Sequence, residues 1–264
     1  MVAEVDSPGL LVQGRLRTET VETEQVDERL AIPANENSLL GVAELLLKSP
    51  AHVDRLARQP ERQPDLVFRF LAIGLASFSL FAWVLVLLLN CVPKEAVPGV
   101  LAARWRPGVL TGVSLWLAYA VGLVAASGIC LPSFYFFGLL AGVRASWLQV
   151  TTHVLRGKGA TAVLLLGLLP IYVAVALGMV VFHAPNEALR AALWAGMVLP
   201  FVAGLCGVRA IYHAFLALAD TLPSEQQCRR TCFLRRLTVA WSAVYSLVSP
   251  VMIWKLWTLL SERI

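Results

Sequence analysis

Five long apolar runs constrain this chain more than any other feature. They cover 66–92, a stretch within 108–142, 160–183, 190–208 and 237–260. A helix crossing a hydrocarbon core about 30 Å thick needs about 20 residues, because it rises about 1.5 Å per residue. Four of the runs fit one crossing each. The stretch 108–142 has 35 residues, too many for one comfortable span. Either Cys130-Leu131-Pro132-Ser133 turns between two short spans, or Pro132 kinks one long helix.

Composition agrees with a membrane chain. Hydrophobic residues make up 58% and charged residues 15% of the 264 positions, and mean hydropathy is +0.71. Soluble domains run near 45–50% and about 25%. A soluble enzyme, a disordered chain and a nucleic-acid module are therefore poor descriptions. The net charge of +5 hides an asymmetry. Residues 1–37 sum to −5, 38–65 to zero and 66–264 to +10.

Charge also decides the span count. With the N-terminus inside and five spans, inner segments hold twelve Lys and Arg, and outer segments hold five, or six with Lys255. Six spans would put the clusters at 144–158 and 209–236 outside, against the usual cytoplasmic excess of Lys and Arg. The expected fold is an all-α integral membrane protein of five spans, at 66–92, 115–142, 160–183, 190–208 and 237–260. The N-terminus is expected in the cytosol and the C-terminus opposite, in the cytoplasmic or an internal membrane. Trp105, Trp116, Trp194, Trp254 and Trp257 then mark the outer interface, Trp147 and Trp241 the inner one, and Trp83 lies deep.

Three domains follow. Residues 1–36 read as a disordered acidic tail, since Glu19-Thr20-Val21-Glu22-Thr23-Glu24 lacks apolar periodicity. Residues 37–64 read as amphipathic cytosolic helices. Leu39, Leu40, Val42, Ala43, Leu46 and Leu47 share one face, and Ser49-Pro50 starts a second helix. These helices lie on the membrane or pack on their own chain. Residues 65–264 form the polytopic domain. The tail lacks a signal-peptide core, so the first span is expected to act as the insertion signal.

Gly138-Leu-Leu-Ala-Gly142-Val-Arg144-Ala recurs as Ala203-Gly-Leu-Cys-Gly207-Val-Arg209-Ala, each after a Leu-Pro pair. Small residues four apart let helices approach closely, which makes Gly138, Gly142, Ala203 and Gly207 packing candidates. Pro132, Pro170, Pro200 and Pro250 are the helix-kink candidates. Arg144, Arg156, Lys158, Arg209, Arg229, Arg230, Arg235 and Arg236 are the candidates for anionic lipid headgroups, reached by snorkelling. Ser224-Glu-Gln-Gln227 resembles a capping box that starts a helix toward the last span.

Nothing in the pattern carries catalysis. H-E-x-x-H, G-x-S-x-G and P-loop spacings are absent, and His52, His153, His183 and His213 are scattered. The five cysteines make neither a disulfide framework nor a metal set. No catalytic residue, metal or cofactor is expected. The expected partners are a bilayer with anionic headgroups and other membrane proteins or a second copy, with no nucleic acid.

The layout resembles the Yip-family membrane proteins, including bacterial relatives. It shares a polar cytosolic N-terminal region, five clustered spans and a very short C-terminal end. Asp65-Leu66 matches the Asp-Leu start of a motif in eukaryotic members, but Val67-Phe68-Arg69 follows, without that motif's Tyr, Gly and Pro. The resemblance implies a non-enzymatic scaffold or regulator acting through partners. Rival expectations are a permease-like membrane subunit with a separate ATPase chain, and a channel or carrier acting alone.

Overall fold

The computed structural model describes residues 38–57, 59–102, 105, 108–140, 146–219 and 227–263. The expected acidic tail at 1–36 lies outside the described residues, as do Gly142 and Arg144. Among the described residues the chain is all-helical. Its helices are α1 (Leu39–Lys48), α2 (Pro50–Ala57), α3 (Gln63–Cys91), α4 (Val109–Leu140), α5 (Trp147–Val181), α6 (Asn186–Ala219) and α7 (Gln227–Arg263), with short turns at Lys94–Ala96 and Gly99–Ala102. Five of them, α3 to α7, are long and apolar enough to cross a membrane.

The stretch around Pro132 is one helix. α4 runs unbroken from Val109 to Leu140 with Pro132 inside, which leaves five crossing helices rather than six. Pro170, Pro200 and Pro250 likewise stand inside α5, α6 and α7, each continuing on both sides. Several helices extend past their expected spans. α4 starts at Val109, ahead of the span expected at 115–142 though within its apolar run. α5 starts at Trp147, so Arg156 and Lys158 sit on a helix instead of in a loop. α7 starts at Gln227 and carries the Arg229–Arg236 cluster. The reason is local: Lys, Arg and Gln favour helix almost as well as Leu, so only hydropathy changes at these points.

α1 and α2 pack on their own chain. Ser38 Oγ caps α1 by accepting from Gly41 N at 2.9 Å. Ser49 ends α1, and Pro50 opens α2. Val42, Leu45, Leu46, Val53 and Leu56 then bury against Leu66, Phe70 and Ile73 of α3 and against α5. Gln63 Nε2 donates to Ala57 O at 3.0 Å and ties α2 to the start of α3.

The five long helices form a ring in the order α3–α4–α7–α6–α5. Each alternates direction with its chain neighbour. The α5–α6 corner closes tightly: His183 takes φ 52°, with His183 N donating to Val180 O and Ala184 N to Met179 O. That is a Schellman turn with His in the left-handed position where Gly is usual, and Pro185 stops the helix just beyond. The ring's core contains Phe78, Phe81, Leu85, Leu89, Tyr119, Leu123, Leu165 and Trp257. Its outside is apolar too, with Phe68, Val109, Phe136, Ile171, Val181 and Leu247 exposed. Helices apolar all round suit a lipid environment.

The tryptophans turn in different directions across the bundle. Trp257 is 1% exposed, within the core, and Trp105 and Trp241 are also buried. Trp83 lies on the outer surface, edge-on to Trp116 at 6.2 Å, and Trp116 Nε1 donates to Ser79 O at 2.9 Å. Hydropathy places a tryptophan along a span, but only packing decides which way its ring turns.

Candidate functional site

The N-terminal half of α5 is the most polar stretch inside the ring. Ser146 caps it, accepting from Gln149 N at 3.1 Å. Thr152, His153, Arg156, Lys158 and Thr161 follow, all buried. At 3.6 residues per turn, consecutive residues point about 100° apart. Gly157, Lys158 and Gly159 therefore face three neighbours. A Cβ at Gly157 would meet Ile211 side-chain atoms at 2.5 and 2.8 Å and Gly207 O at 2.9 Å, both on α6. A Cβ at Gly159 would meet Leu46 of α1 at 3.2 Å and Phe70 of α3 at 3.5 Å. Lys158 turns toward α7.

The lysine ends on an aromatic column. Its Nζ stands 3.2 Å from the centroid of the Tyr245 ring. Trp241 stacks on Tyr245 at 5.8 Å and 20°, and Phe134 of α4 lies 5.0 Å from Trp241. Two hydrogen bonds tie the column to α4: Tyr245 OH donates to Leu123 O at 2.9 Å and Trp241 Nε1 to Cys130 O at 3.3 Å. A cation over a desolvated aromatic face gains about 2 kcal/mol. Beside this pair a small, partly open cleft lies between α5, α6 and α7. Its polar lining is Lys158, Thr161, Ser242 and Ser246. Phe201, Leu205 and Val208 line it on α6. The cleft falls where α6 and α7 meet along the slightest seam of the ring.

The sequence candidates are distributed unevenly around this cleft. Gly207 lies at the α5–α6 crossing, where an added Cβ would overlap Thr161 Oγ1 and Gly157 O. Ala203, one turn earlier, is buried. Gly138 is buried on α4. Arg209, Arg235 and Arg236 are exposed, while Arg156 is 4% and Lys158 9% exposed. Arg229 and Arg230 fall on the backbone of α7, with side chains outside the described set.

Sequence reasoning missed Gly157, Tyr245 and the inward turn of Trp241. The available signal was Gly157-Lys158-Gly159, two residues without side chains flanking a lysine beside an apolar run. Among the described residues no group of three His, Cys, Asp or Glu could hold a metal. No family model matches the chain, and neither the curated proteins nor the solved structures give a match.

Proposed function

We propose that this chain is a non-enzymatic, five-span membrane protein that scaffolds or regulates other membrane components, in the manner of the Yip-like proteins it resembles. The N-terminal helices face the cytosol and the C-terminus lies across the bilayer. The observation that carries the reading is the docked α1–α2 unit. It buries Val42, Leu45, Leu46, Val53 and Leu56 on the bundle yet leaves Leu39, Leu40 and Leu47 outward, with Leu40 83% exposed. A helix that satisfies its own fold with one face and keeps leucines on another suits a docking element for a membrane partner. Exposed Arg209, Arg235 and Arg236 stand at the same end of the ring, where anionic headgroups favour Arg.

Co-purification of the tagged full chain in mild detergent, read by mass spectrometry, tests this. Membrane-protein partners are expected, and Leu40→Asp with Leu47→Asp should release them while the bundle stays folded. A stoichiometric ATPase partner would replace the scaffold reading with that of a permease subunit.

A further inference from the structure

We propose that the cleft between α5, α6 and α7 is a binding site for the phosphate of an anionic phospholipid, held by Lys158, with the acyl chains lying along the α6–α7 seam. This rests on the membrane-spanning reading above and adds a ligand to it.

The first support is a charge without a counter-charge. Lys158 is more than nine-tenths buried, and its ammonium carries three N–H donors with one aromatic face beneath it. Helices α4 and α5 contain no Asp or Glu, and the only ones on α6 and α7 are Glu187 and Glu262, at the far end of the ring. Two carboxylates near the N-terminal end of the ring pair locally, Asp65 with Arg69 at 2.6 Å and Glu44 with Lys48 at 2.6 Å. Among the described residues the walls of the cleft thus supply no anion, although a buried cation is expensive without one.

The second support is depth. Lys158 lies 23 residues before Val181 on one continuous helix, about 35 Å at 1.5 Å per residue. With a hydrocarbon core about 30 Å thick, an exposed Val181 at one boundary puts Lys158 at the other, the level of phosphates. The third is the shape of the opening. The cleft is lined by Leu205, 65% exposed, and flanked on the outer faces of α6 and α7 by exposed Val202, Val244 and Leu247. A free phosphate has no use for that apolar border, whereas an acyl chain does. Ser242 and Ser246 already donate their hydroxyl protons to Val239 O and Ser242 O at 2.8 Å each, so Lys158 is the group in the cleft that would hold the anion.

Two variants separate the parts. Lys158→Met removes the charge at similar length. Gly204→Leu fills the cleft, because nothing lies within 4 Å of a Cβ built at Gly204, and it leaves the lysine in place. The purified full chain is titrated in detergent with phosphatidylglycerol, with phosphatidylcholine or with inorganic phosphate, and bound lipid is counted by native mass spectrometry. The wild type is expected to prefer phosphatidylglycerol about tenfold, the effect of about 1.4 kcal/mol, and inorganic phosphate is expected not to compete at millimolar levels. Both variants should lose that preference. Unchanged preference in folded Gly204→Leu overturns the site whether or not Lys158→Met folds. Competition by inorganic phosphate at lipid-like concentrations overturns the lipid assignment. Carbonate extraction of the same membranes is read separately: release of the chain ends the membrane-spanning reading, while retention with no lipid preference ends only this site.

Discussion

Replacing Gly207 with alanine should force α5 and α6 apart at their closest approach. The added methyl would overlap Gly157 O and Thr161 Oγ1, and it would lie 3.2 Å from the Gly157 carbonyl carbon. Thr161 can turn aside, although its hydroxyl then stops donating to Gly157 O at 2.9 Å. The Gly157 carbonyl is backbone and moves only with its helix. A retreat of about 1 Å forfeits up to half of each dispersion contact at the crossing. Overpacking of this kind costs about 1–3 kcal/mol. Alanine's helix propensity returns up to about 1 kcal/mol, so Gly204→Ala is the matched control. It has the same propensity gain and open space around the new methyl, and should be neutral or slightly stabilised. Unfolding in mixed micelles, followed by tryptophan fluorescence, should rank Gly207→Ala below Gly204→Ala by at least about 1 kcal/mol. The double variant Gly157→Ala, Gly207→Ala should cost less than the two singles together, because one separation accommodates both methyls. Equal stability of Gly207→Ala and Gly204→Ala would refute the close-crossing account.

Trp257→Ala should destabilise the bundle by about 3–5 kcal/mol, because the ring is 1% exposed; Trp254→Ala, with its ring 36% exposed, should cost far less in the same thermal-unfolding assay. Tyr245→Phe removes the 2.9 Å bond to Leu123 O and should cost about 1 kcal/mol while keeping an aromatic face under Lys158, so its lipid preference should match the wild type's. Cys91 and Cys232 are both exposed, at opposite ends of the ring. In single-cysteine versions, an impermeant maleimide applied to sealed vesicles should label one and not the other. Labelling of both from the same side would end the five-span arrangement.

The five helices long and apolar enough to cross a membrane were legible without any structure because length and hydropathy are properties of each segment alone. The single helix through Pro132 followed from the charge bias alone, since the length of 108–142 left one span or two open. The start of α5 was not legible, since polar residues continue the helix over Trp147–Gly159, where hydropathy falls while helix propensity does not; the capping-box pattern ending at Gln227 did signal the start of α7. That α1 is amphipathic was readable, but its face was not: the apolar positions grouped together in the sequence divide, with Val42, Leu45 and Leu46 buried on the bundle and Leu39, Leu40 and Leu47 exposed.

At the cleft the division is sharper. The sequence by itself determined that Lys158 stands among small and hydroxyl residues near the start of an apolar run, and that Gly207 suits a close helix approach. Only the tertiary structure decided that Gly207 meets Gly157, that Lys158 is covered by the Tyr245 ring of a helix 87 residues later, and that among the described residues the walls there offer no carboxylate. A cation's partner is set by which faces of α5 and α7 meet, and that meeting depends on all five helices packing at once.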